Sequence, residues 1–378
     1  MVAPAPLTTL RDGRGNRLSM SEVAFRGNVA AARARAASGA RLLQVVKGHG
    51  YGLGLNRMVK WGLASEVDGF CAGTPEEALS IRRLAPRHSV LLFTGSGPDE
   101  LPRLLRAGVT VTINSVEASA AVVAANVEAE VFLELDCGFG RFGLDETALD
   151  SVLDAQRRHG ATRIAGIYTH LGQGGAAILD RGLAMFDRAV AHVHARLPTP
   201  LLTMVASTHV LLERPGLAYR AIDPGRLLYG IVDCATETGV NPVLAEVQSR
   251  IIQVNQIEAR QTVRIGYGED VSLPKGGTTG VFPLGWRDGL SPRSPFGVVL
   301  VRGRRVPVIA RTLLHSVVDL SSIDDPVIGD EVVLIGRQAA ARLSIAEAAA
   351  AQGISATELH FTLADAIVRA ASETQQAQ

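Results

Sequence analysis

Residues 41–54 read RLLQVVKGHGYGLG, a short run that is apolar on both faces and ends in a lysine on a glycine-rich turn. A strand with two apolar faces belongs inside a layered structure, where other elements cover both sides. The glycines permit a tight turn and leave open space beside the lysine amine. The same design recurs downstream. GFCAG (69–73), SVLLFT (89–94), VTVTI (109–113), AEVFLEL (129–135), RIAGIYT (163–169), PLLTMVA (200–206) and the weaker AYRAI (218–222) are further short apolar runs separated by helical patterns. Thr74-Pro75-Glu76-Glu77 carries a helix start, with a Thr cap, Pro at the first helical position and Glu three residues on. Ser115 and Asp145 can cap two more helices, and 174–196 is an alanine-rich helix with basic residues near its end. Eight strand–helix units predict a (β/α)8 TIM-like barrel rather than an open sheet.

Near residue 240 the pattern changes. Runs such as VLAEVQSRIIQVNQIEA, GVVLVRGRRVPVIA and DEVVLIGRQ alternate with Gly, Pro and Asp, which predicts an antiparallel β domain interrupted by one helix, SIAEAAAAQG. The expected organisation is a disordered N-terminus over 1–15, a barrel over 16–240 and a C-terminal β domain over 241–378, with SETQQAQ as a frayed tail.

Composition narrows the function. Of 378 residues, 47% are apolar and 20% charged, enough to bury a large core, and the net charge of +1 offers no footprint for nucleic acid or an anionic membrane. No apolar run has the length of a membrane span, and the N-terminus lacks the apolar centre of a signal peptide. Cys71, Cys137 and Cys234 are odd in number and widely spaced, which fits neither a disulfide framework nor a metal knuckle; a cytoplasmic protein without a metal site is expected. Of the 38 basic residues only Lys47, Lys60 and Lys275 are lysine, so a chain that otherwise uses arginine has kept a lysine at the end of its first barrel strand.

Barrel enzymes carry their chemistry at the C-terminal ends of the strands. Lys47, Thr74, Asn114, Arg141, His170, Ser207 and Asp223 fall there. Singly each has a bland explanation: Thr74 and Ser207 as helix caps, His170 as a core histidine, Arg141 as a surface ion pair. Seven polar residues at one rim point to a site.

VVKGHGYGLGLNRM, LELDCGFGRFG, GIYTHLG, AST, DPGRLLYG and IGYG, in that order and spacing, resemble the motifs of the alanine racemase family, the fold-type III enzymes that use pyridoxal 5′-phosphate (PLP). The resemblance spans about residues 18–340. It implies a PLP-dependent amino-acid racemase, an isomerase acting as a homodimer with shared active sites. By this resemblance Lys47 is the Schiff-base lysine and one catalytic base, while Tyr267, supplied by the partner subunit, is the opposing base. Tyr51, Ser207 and the Gly225 backbone bind the phosphate; Arg226, at a position usually apolar, either joins them or points outward. Arg141 orients the phenolic oxygen and the substrate carboxylate, a task suited to its planar fork. His170 supports the residue at the pyridine nitrogen. The family's C-terminal phosphate-binding tyrosine has no counterpart in LHFTLADAIVRAASE.

Three departures stand out. Glu134 occupies the place where many relatives have a carbamylated lysine, and can itself present the negative charge to Arg141. Asp223-Pro224-Gly225 replaces the family's Arg-Pro-Gly. A carboxylate beside the pyridine nitrogen favours the protonated ring and a stronger electron sink; alternatively Asp223 only caps the turn before Pro224. In the β domain, PLGWRDGLSPR puts Trp286 in place of a tyrosine, and Leu313-Leu314, followed by His315, replaces a Met-Asp pair near the substrate. His49 replaces a small polar residue beside the lysine turn. Together these changes point to a substrate other than alanine, or to a reaction other than racemisation. A decarboxylase, aldolase or dehydratase on the same fold is the second reading, and a non-catalytic PLP carrier, at odds with the complete β domain, the third.

Overall fold

The computed structural model describes residues 6–93, 96–159, 161–172, 174–197, 199–232, 239–259, 262–265, 269–272 and 276–376. The chain opens with an antiparallel hairpin of β1 (Thr8–Arg11) and β2 (Arg17–Met20). This corrects the expected disorder over 1–15 for the residues described. The turn DGRGN looks like a flexible polar stretch, but the Asp12 carboxylate fastens it by accepting the N–H groups of Arg14 and Asn16, both at 2.9 Å, and the Asn16 side-chain amide at 2.8 Å. Leu18 and Met20 of β2 are fully buried.

Eight parallel strands follow: β3 (Arg41–Val45), β4 (Gly69–Ala72), β5 (Ser89–Leu92), β6 (Val111–Ile113), β7 (Ala129–Leu135), β8 (Thr162–Thr169), β9 (Leu202–Ala206) and β10 (Ala221–Ile222). They pair in the order β5-β4-β3-β10-β9-β8-β7-β6. A parallel bridge between Leu91 and Thr110 brings the two ends together, so the sheet is a nearly closed barrel. Thr74 caps the helix Pro75–Leu84 in a complete capping box with Glu77, and Ser115 caps Val116–Ala125. Each cap satisfies backbone donors that the first helical turn leaves open.

The second domain comprises β11 (Leu244–Arg250), β12 (Gln253–Ile257), β13 (Thr262–Ile265), β14 (Glu269–Ser272), β15 (Gly277–Phe282), β16 (Val298–Val301), β17 (Arg304–Arg311), β18 (Ser316–Asp319), β19 (Glu331–Gln338) and β20 (Ala341–Leu343). Its main sheet runs β1-β2-β11-β19-β16-β17-β18-β15-β12, with β20 on β19, while β13 and β14 form a separate hairpin. The N-terminal hairpin therefore belongs to this sheet, through β2 against β11. The expected frayed tail is also corrected. A helix runs over Ala356–Gln376, in addition to the shorter Ile345–Ala350, and buries Leu359, Leu363, Ile367 and Ala371 at the four-residue spacing of one helix face. It lies against the lysine turn, β1 and β2. Among the described residues no helix is long and apolar enough to cross a membrane.

Candidate active site

At the C-terminal ends of the barrel strands lies an open cavity of about 780 Å³. Nine candidate residues line it: Lys47, Tyr51, Glu134, Arg141, His170, Ser207, Asp223, Gly225 and Arg226. Thr74 serves its helix cap, and Asn114 lines a separate small cavity. Lys60 is exposed on the helix Leu55–Ala64 and does not line the cavity. Lys275 and Tyr267 lie outside the described residues, Tyr267 between β13 and β14.

Lys47 enters this cavity from an unusual turn. Gly48, His49, Gly50 and Tyr51 all have left-handed backbones, with φ between 55° and 65°. Glycine adopts this region freely, but for an L side chain it costs about 1–2 kcal/mol per residue. Surrounding structure must hold His49 and Tyr51 there. Lys47 is exposed as a residue and lines the cavity. Burial lowers its pKa, Asp223 opposes that shift and Arg141 adds to it. A lysine so placed is easier to deprotonate than a surface one, as a nucleophile and a base require.

One end of the cavity suits a phosphate. The Tyr51 ring is stacked on Tyr229 at 4.3 Å and packed on Phe361 at 4.8 Å, and the Tyr229 hydroxyl donates to the Val45 carbonyl at 2.8 Å. Burial raises the Tyr51 pKa, so it remains a phenol and an O–H donor. Ser207 begins the helix Thr208–Glu213 without spending its hydroxyl on a cap; its Oγ lies 3.3 Å from His209 Nδ1. His209 lines the same cavity; burial lowers its pKa, opposed by Glu213 and by a hydrogen bond with the Gly172 backbone. Arg226 adds positive charge. A Cβ on Gly225 would stand 2.1 Å from the Tyr51 hydroxyl, so only glycine leaves the phenol in place. These residues fit the phosphate of PLP, and Lys47 fits its aldehyde. Gly225→Ala is expected to weaken PLP binding at least about tenfold, since it displaces a charge-assisted donor; titration of the cofactor's fluorescence checks this.

The remaining candidate residues give the cavity its acidic and aromatic character. Asp223 faces the cavity; burial raises its carboxyl to about 7, and Lys47 is the charge that opposes this. The neighbouring turn amides are served elsewhere, Leu227 N–H by Thr208 Oγ1 and Leu228 N–H by the Gly225 carbonyl. His170 is pushed down to about 4 by burial, Lys47 and Arg141, so its imidazole is neutral at pH 7. Its ring meets Phe139 edge-on at 4.9 Å. The Arg141 guanidinium lies over Phe139 and Phe142, 4.6 and 5.3 Å from the ring centroids. Buried Glu134 lines the same wall.

Sequence reasoning missed Phe93, Tyr168, His209, Thr357 and Phe361, which also line the cavity. Only His209, two residues after Ser207, had a local signal. Leu313 does not line the cavity of its own chain. It is exposed on the tight turn between β17 and β18, where Thr312 N–H donates to the His315 carbonyl at 2.8 Å. Trp286 N–H and Arg287 N–H donate to the Thr312 and Leu313 carbonyls, so the backbone segments that carry the exposed Trp286 and Leu313 are adjacent.

Comparison with known proteins agrees with this geometry. The alanine racemase N-terminal domain matches residues 21–233, and the alanine racemase C-terminal domain matches 244–371. An alanine racemase from Syntrophobacter fumaroxidans is 29% identical over 353 residues, covering 90% of this chain and 93% of the relative. The biosynthetic alanine racemase of Pseudomonas aeruginosa superposes with a TM-score of 0.79 at 27% identity, over 91% of this chain and 95% of the other. The enzyme from Streptomyces coelicolor A3(2) gives 0.80 at 28%, over 91% and 94%. With both domain matches in order and the predicted lysine, tyrosine and glycine at one barrel mouth, the chain belongs to the alanine racemase family.

Proposed function

We propose that this protein is a PLP-dependent amino-acid racemase, active in the cytoplasm as a homodimer, whose preferred substrate differs from alanine. The observation that carries the reading is the convergence of Lys47, the phosphate-binding end and Arg141 on one cavity. PLP, when bound, withdraws electrons from the Cα of the amino acid and makes its proton removable. Lys47 holds the cofactor and moves the Cα proton on one face. Tyr267 of the partner subunit moves it on the other. Tyr51, Ser207, Arg226 and the Gly225 amide bind the phosphate. Arg141 orients the substrate carboxylate, with Glu134 supplying the neighbouring negative charge. His170 stays neutral beside the ring. The exposed Trp286–Leu313 face supports a partner-facing role: in a dimer it would close the other subunit's cavity, and its apolar side chains would select the substrate side chain.

The test is incubation of the PLP-loaded protein in D2O with a panel of L- and D-amino acids, read by chiral chromatography and mass. Deuterium at Cα with both enantiomers present supports a racemase and names its substrate. Release of CO2 or side-chain fragments without the mirror image supports the second reading, a lyase. Asp223 in the cavity lining is the observation that favours it, because a carboxylate there would make PLP, when bound, a stronger electron sink.

Asp223 also makes a pH prediction. Its folded pKa, about 7, lies above the ordinary carboxyl value of 3.8. The folded state thus binds more protons between these values, and stability falls as pH rises through that window. Without PLP, Asp223→Asn is expected to stabilise the chain by roughly 1–2 kcal/mol at pH 8, after discounting for water in the cavity. At pH 4 and below the difference should vanish. Thermal melts at the two pH values check this, and equal melting temperatures at pH 8 would contradict it.

A further inference from the structure

The left-handed turn after Lys47 is held at both of its non-glycine residues, and the two holds come from different domains. On the barrel side, the Glu77 carboxylate accepts the His49 N–H at 2.8 Å through Oε1. Through Oε2 it accepts the N–H groups of Gly73 and Thr74 at 3.0 and 3.2 Å. On the side of the β domain, His360 of the C-terminal helix places Nε2 3.1 Å from the Tyr51 carbonyl. A carbonyl only accepts, so His360 donates from Nε2. His360 is fully buried and burial keeps it neutral, with a pKa near 4, which suits a fixed donor. The same helix braces the turn elsewhere. His49 Nδ1 lies 3.1 Å from Asp365 Oδ1. A Cβ on Gly48 would stand 2.9 Å from Phe361 Cε1, and one on Gly52 3.0 Å from the Asp365 amide nitrogen.

We propose that Glu77 and His360 are positioning residues for Lys47, two latches that keep His49 and Tyr51 in the left-handed region and so let the C-terminal helix set where the lysine amine points. The proposal rests on Lys47 being the residue that holds PLP. Its physical basis is that a buried carbonyl or N–H deprived of its partner loses far more than a solvated one. Without the His360 donor, the Tyr51 peptide gains by rotating out of the left-handed region toward water. That rotation carries the whole turn, and with it the Lys47 backbone.

The test compares His360→Phe, which keeps a ring but removes the donor, with His360→Gln, whose amide can donate from the same place. Glu77→Gln is the second variant, since it presents an NH2 group to backbone donors, and His192→Ala on the barrel surface is the control. Three quantities are read on the full chain: hydrogen exchange over 47–58 without PLP, the rate at which PLP becomes borohydride-trappable at Lys47, and the split of kcat from KM. In His360→Phe, exchange is expected to rise and trapping to slow by roughly tenfold each. kcat should fall more than KM changes, and His360→Gln should recover most of the loss. Glu77→Gln is expected to act in the same direction, so the test survives if His360→Phe fails to fold. Unchanged exchange in both donor- and acceptor-disrupted variants overturns the latch. So does faster exchange with unchanged trapping, or a His360→Gln protein as impaired as His360→Phe. If the wild-type chain takes up no PLP, the cofactor reading falls, and the exchange measurement alone decides whether the turn is latched.

Discussion

Lys47→Ala is expected to abolish covalent retention of PLP and to reduce racemisation by about 10⁴-fold or more. Two losses combine. A positioned proton-transfer group contributes about 10²–10⁴-fold by itself, and the amine that captures the cofactor and yields it to substrate disappears at the same time. The described neighbouring residues offer no replacement: Lys60 is exposed on the helix Leu55–Ala64, and the guanidinium groups of Arg141 and Arg226 are poor nucleophiles. Lys60→Ala is therefore the control and should change neither property. The measurement is borohydride reduction followed by peptide mass analysis. A reducible PLP adduct surviving in Lys47→Ala would remove the anchor of the functional reading. The lowered pKa of Lys47 adds a second signature, because capture should be faster at neutral pH than for a surface lysine.

Tyr267→Phe is expected to lower racemisation by about 10²–10⁴-fold while leaving PLP capture at Lys47 intact. Two enantiomers have the same free energy, so their equilibrium constant is one. Loss of the second base must then reduce kcat/KM equally in both directions. The asymmetry should appear in isotope exchange instead. The enantiomer whose Cα–H faces Lys47 should still take up deuterium with its configuration retained, and its mirror image should not. Chiral chromatography with mass detection separates these outcomes. Full turnover in both directions would exclude Tyr267 as an essential base. Because Tyr267 is proposed to act across a dimer, mixing the Lys47→Ala and Tyr267→Phe proteins should restore activity in part, through hybrid dimers with one intact site. No recovery after verified subunit exchange would argue against a shared site.

Much of the barrel was legible because its signals are local. Each strand is a short apolar run, since both its faces are covered, and the helix starts are written in side chains such as Thr74, Glu77 and Ser115 that close their own caps. The cavity residues on strand ends were legible for the same reason: once the strand is known, its C-terminal end is known. Phe361 and His360 were not. They lie more than 300 residues from Lys47, and nothing in LHFTLADAIVRAASE reveals that this helix packs on the lysine turn.

The N-terminal hairpin failed for a related reason. DGRGN has the composition of a flexible segment, and its order depends on Asp12 fastening the turn and on β2 finding β11. By itself, the sequence determined the eight barrel strands, the lysine at the first strand's end, the glycines that let it turn and the chemistry of the rim. Those are set by burial periodicity and backbone sterics, which act over a few residues. Only the tertiary structure decided that both chain termini build the β domain and that the C-terminal helix grips the lysine turn. Those outcomes depend on which distant surfaces meet, and the free energy of that choice is spread over contacts that no single stretch of sequence contains.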